Sequence, residues 1–185
     1  MEPIFFILIG AALFSQSWYV LGLFSEGRTM GVFVGGLGLL SLAALTLTPM
    51  LLTGGDRGME ARLLAETTVM KTLIGVWAVY AIGVGAHGLW DFEDRAIGFY
   101  SAFLAVATLV TFIYFAVELP DVYKSEGPWL SLSGATLLLT VLAGMMFFAL
   151  SFGFNVLRVV AGWFLLFGGA AVVAIGLLIM STVIT

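Results

Sequence analysis

No charged side chain lies near the middle of any of six long apolar stretches, and this pattern limits what the chain can fold into. The eleven acidic and seven basic residues fall between the stretches or at their ends. At 1.5 Å per residue, about 20 apolar residues cross the hydrocarbon core of a bilayer. Six stretches meet that length, at roughly residues 4–24, 30–53, 67–88, 96–118, 129–150 and 158–182. Breaks are expected at 25–28, 54–66, 89–95, 119–127 and 151–158. With 62% hydrophobic and 10% charged residues, the composition departs far from that of a soluble domain. The expected fold is an all-α integral membrane bundle of six helices, with residues 1–185 forming one domain.

The same pattern excludes functions. A charge at the centre of a bilayer costs several kcal/mol and is normally kept for proton or ion transfer. A bundle without one is poorly equipped for ion coupling and better suited to neutral cargo. Zero cysteines exclude disulfides and iron–sulfur ligation. A single histidine excludes a metal site built from histidines in one chain, so no cofactor is expected. HExxH and G-x-S-x-G are absent, and no carboxylates pair at mid-membrane, so an enzyme is not expected. The net charge of −4 argues against nucleic acid as a partner. The first fifteen residues carry Glu2 and no Lys or Arg, so the opening stretch reads as a permanent span rather than a secretory signal.

All four prolines (Pro3, Pro49, Pro120, Pro128) lie at or near span ends, where a missing N–H costs least. Trp90, Trp129 and Trp163 also lie near ends, as interface anchors do. Basic residues divide between odd connections (Arg28, Arg95, Arg158) and even ones (Arg57, Arg62, Lys71, Lys124) too evenly to orient the chain. An even span count puts both termini on one side. Glycines recur inside spans: Gly31-x-x-x-Gly35, Ala81-x-x-x-Gly85, and Gly162, Gly169 and Gly176 at heptad spacing. In lipid such small residues let helix backbones approach closely.

Few polar residues lie within the spans. Gln16 is the least compatible with lipid and belongs on the inside, as an interhelical hydrogen-bond partner or as a solute contact. Ser101, Thr108, Thr111 and Glu118 share one face of span four, although Ser and Thr often bond back to their own helix. Glu118 near Pro120 is either a pore-mouth residue or a solvated end group. Tyr80 needs a hydrogen-bond partner if buried. Phe147 and Phe148, with Phe152 a turn beyond, form an aromatic stripe that is either core packing or the lining of a narrow pore. The acids of 91–95 read as a solvated loop, and His87 at the end of span three is weak ground for a pH gate.

Several stretches together resemble the AmiS/UreI family of urea channels and short-chain amide transporters. These are Ile9 to Gln16, then Gly22-Leu23, Val32 to Leu37, Gly75 to Ala81, Gly88-Leu89 and Phe99 to Phe103. The likeness is clearest over the first four spans. It implies a six-helix protomer with its own pore, a hexameric ring, and both termini outside the cytoplasm of a prokaryote. Carried over by position, Ile9, Leu13, Val76 and Tyr80 fall on pore-lining sites, and Gln16 replaces the family's asparagine. The chain departs on span five, where the family's tryptophan positions hold Gly144, Phe147 and Phe148. On span six Gly168 stands at an acidic position.

The reading that results is a passive channel for urea or short-chain aliphatic amides in a prokaryotic cytoplasmic membrane. The partners expected are the solute, lipid and further copies of the chain in a homohexamer. A membrane scaffold subunit without transport is the alternative.

Overall fold

The computed structural model describes residues 2–23, 26–47, 57–117 and 129–181. Six helices follow in order: α1 (Glu2–Val20), α2 (Gly27–Leu47), α3 (Arg57–Trp90), α4 (Asp94–Val117), α5 (Trp129–Phe152) and α6 (Asn155–Met180). Each contains a segment long and apolar enough to cross a membrane. Helices are what such sequences form in lipid, because every backbone N–H and C=O must be satisfied within the segment. The chain is an all-helical, multi-pass membrane protein. Glu118, Lys124, Pro49, Pro120 and Pro128 lie outside the described residues, as do the side chains of Trp129 and Asn155.

The helix ends shift three of the expected boundaries. Span one stops at Val20, four residues early. Gly22 adopts φ +69°, its N–H bonds Tyr19 O at 3.0 Å, and Leu23 N–H bonds Trp18 O at 2.9 Å. This paired closure is a Schellman cap, which favours glycine at the left-handed position. The break expected at 54–66 is helical from Arg57 onward. Polarity there suggested a loop, but Met59 to Glu66 are almost all strong helix formers. The last connection shrinks to Gly153-Phe154, with Gly153 at φ +64° making the turn.

Successive helices pack against one another, and α1 closes the ring against α6. The tightest pairs are α1 with α6, α2 with α3, and α4 with α5, while α1 also leans across to touch α3. Glycine seams lie at these pairs. A Cβ on Gly169 would stand 2.7 Å from Phe14 N and 2.9 Å from Gly10 O, and one on Gly85 would stand 2.5 Å from Gly35 Cα. Outward residues such as Val32, Phe33, Phe103, Val110 and Phe167 are exposed, a surface suited to lipid chains. Trp90 and Trp163 are exposed near helix ends, as anchors would be.

Candidate functional site

The interior stripes converge on a short polar segment of the bundle axis. On α1 the buried positions Phe6, Ile9, Leu13, Gln16 and Val20 alternate by three and four residues, which is one helical face. On α3 the matching stripe is Leu73, Trp77, Tyr80 and Val84. Gln16 and Tyr80 meet where the two stripes face each other. Gln16 Nε2 donates to the Tyr80 hydroxyl oxygen at 3.1 Å, and Gln16 Oε1 stands 3.2 Å from that same hydroxyl. Ser101 of α4 is also buried and gives its own proton to Ile97 O at 2.8 Å.

Counting protons shows what this cluster has to spare. Tyr80 gives its one proton to Gln16 Oε1, a carbonyl oxygen with a second lone pair left over. Gln16 has two N–H donors, of which the phenol takes one. One Gln16 N–H and one lone pair of Gln16 Oε1 therefore remain unused among the described residues.

Trp77 holds this arrangement in place. Its ring meets Tyr80 edge-on with centroids 5.5 Å apart, and its indole N–H donates to Thr108 Oγ1 at 3.1 Å. Thr108 in turn donates to Leu104 O at 2.7 Å. Trp77 went unnoticed as a site residue in the sequence. The signal was its position far from either interface, because a mid-membrane tryptophan needs an N–H partner.

Of the positions expected to line a pore, Ile9, Leu13, Gln16 and Tyr80 are brought together. Val76 lies on the flank of α3, where its carbonyl accepts from the Tyr100 hydroxyl at 2.9 Å. Phe147 and Phe148 do not join the group. Phe148 is 50% exposed, and Phe147 packs into an outward aromatic cluster with Phe99, Phe148 and Phe152. The helical period turns Met146 inward in their place, with Leu139, Leu142 and Ala143. Gly168 admits Leu142, whose Cδ2 would lie 2.7 Å from an added Cβ. Ser101, Thr108 and Thr111 share a buried face as their spacing required.

One end of the axis holds a partly open cavity of mixed lining. The cavity, of about 20 Å³, is walled by Gln16, Tyr19, Val20, Met30, Val84, His87, Asp94, Ile97, Leu150 and Arg158. All six helices contribute to it, and Gln16 is its deepest polar group. Beyond Gln16, fully buried side chains fill the bundle, among them Leu13, Ile9, Phe6, Leu104, Met146 and Leu165. Among the described residues no charged group is buried at that depth.

This architecture matches a solved one. The cryo-EM structure of the Helicobacter pylori urea channel in a closed state aligns with a TM-score of 0.74 over 97% of each chain, at 13% identity. The two chains share one fold. No protein-family model matches the sequence, and no curated protein matches it either. The likeness is thus one of helix arrangement carried with little shared sequence.

Proposed function

We propose that this protein is a passive channel for small neutral solutes, urea or short-chain aliphatic amides, with the path along the axis of each bundle. The observation that carries the reading is the Gln16–Tyr80 pair, an uncharged donor and acceptor set on the axis and flanked by aliphatic walls. An ion entering those walls would lose its hydration with nothing to replace it. A planar amide loses less, because the spare Gln16 N–H and the unfilled acceptor replace two of its water contacts. The filled axis beyond Gln16 is a closed state under this reading, and permeation requires side chains there to move.

By the same proposal the protomers form a homohexamer in a prokaryotic cytoplasmic membrane, and the protein catalyses no reaction. Both termini would then be extracytoplasmic. The start of α1 and the end of α6 lie at the end of the bundle opposite the cavity, so the cavity would open toward the cytoplasm. The filled axis and the glycine seams also suit a scaffold subunit without transport. Stopped-flow flux through liposomes carrying the purified protein decides between the two. Urea, formamide, acetamide and propionamide should cross faster than through bare lipid without saturating at low concentration. Flux equal to bare lipid for all four would overturn the channel.

A further inference from the structure

The open cavity carries groups for which the Gln16–Tyr80 pair has no use. Its wall includes His87, Asp94 and Arg158. His87 Nε2 lies 2.9 Å from Asp94 Oδ1. A carboxylate can only accept, so the proton sits on Nε2, and in the neutral ring Nδ1 is left as a bare acceptor. That Nδ1 is buried and has no hydrogen-bond partner among the described residues. An unmet buried acceptor is costly, and a donor entering the cavity would relieve it.

The remaining groups match the rest of an amide. Arg158 offers N–H groups to a carbonyl oxygen, and its guanidinium is steadied over the Tyr19 ring at 6.0 Å. Asp94 keeps a second carboxylate oxygen for an N–H. The cavity's size corresponds to about one water by this measure, enough for one NH2 end of a small solute entering from the open side.

We propose that this vestibule is an outer docking station for solutes with an amide N–H, in which His87 Nδ1 accepts that N–H before the solute reaches Gln16 and Tyr80. The onward step rests on the channel reading, while the docking itself does not. Nδ1 is closed off in this state, so docking includes a slight turn of the imidazole toward the cavity. Urea and primary amides dock; N,N-dialkyl amides, which lack an N–H, do not.

His87 is the chain's single histidine, so protein labelled at its histidine nitrogens shows one imidazole by solid-state NMR in liposomes. The spectrum is recorded under conditions where the nitrogen shift of Nδ1 itself shows that it carries no proton. Acetamide should move the Nδ1 resonance, and N,N-dimethylacetamide should leave it in place. A still Nδ1, or one that moves equally with both, overturns the station. Two variants give a second test by urea flux. His87→Asn keeps an acceptor near the Nδ1 position, whereas His87→Gln keeps only a partner for Asp94. The Asn variant should pass urea roughly fivefold faster than the Gln variant, the worth of about one hydrogen bond. Gln equal to or faster than Asn would mean that the imidazole serves only to tie α3 to α4. If wild-type liposomes pass no solute while acetamide still moves Nδ1, the docking station stands and the channel reading falls.

Discussion

The axis has two unlike walls. On one side α1, α3 and α4 place two buried side-chain hydrogen bonds, Gln16 with Tyr80 and Trp77 with Thr108, joined by the edge-on contact of the Trp77 and Tyr80 rings. On the other, α5 and α6 present Leu139, Leu142, Met146, Leu165 and Val172, and the part-buried Thr140 turns its hydroxyl back to Thr136 O at 2.9 Å. Thr136, buried nearer the start of α5, turns its hydroxyl back to Leu132 O at 2.9 Å. Polarity and smoothness are thus supplied by different helices. Under the proposed channel the polar wall would recognise the solute, because its spare donor and acceptor are held in fixed places. The apolar wall excludes, because any charge against it is unpaired.

The sharpest way to break the comparison is to pry the walls apart. Gly169→Leu would drive a side chain into Phe14 N and Gly10 O, and should destabilise the bundle by about 3 kcal/mol. Thermal unfolding in detergent checks it against Gly144→Ala, where an added Cβ meets nothing within 4 Å. A wild-type transition in Gly169→Leu would mean that the α1–α6 seam is not a packed contact.

Removing recognition from the polar wall comes next. Gln16→Leu leaves the Tyr80 hydroxyl without its amide and strips the spare donor from the axis, so urea flux should fall about tenfold. Unchanged flux would take Gln16 out of the path. A smaller effect is expected from adding bulk to the smooth wall. Met146→Trp should slow propionamide about threefold more than urea, since overpacking penalises the larger solute first. Equal slowing of both would show that Met146 does not bound the path. Least of all should Phe148→Ala matter: flux within roughly twofold of wild type is the result for a side chain facing lipid. A larger loss would return the aromatic stripe of α5 to the pore.

How much of this was legible in the sequence depends on the kind of signal. Gln16 and Tyr80 stood out because polar groups inside apolar spans have few places to go. Gly31, Gly35, Gly85 and Gly169 stood out because small residues in lipid serve close approach. Phe147 and Phe148 misled, since an aromatic run fits a pore lining and an outer surface equally, and only helix rotation separates them. His87 and Arg158 read as loop-end charges, because nothing along the chain shows that α3 and α6 end around the same cavity.

Membrane class, six spans and an uncharged interior can all be read along the chain. Those follow from one-dimensional quantities, namely apolar length and the cost of charge in lipid. Which face of each helix turns inward, and which distant residues meet, emerges only in the folded bundle. The pairing of Gln16 with Tyr80 spans 64 positions, and that of Trp77 with Thr108 spans 31. Both pairings depend on the rotation and tilt of whole helices, which packing against neighbours sets. The charge-free middle of each span is therefore written in the sequence, and the polar pair between α1 and α3 is made by the fold.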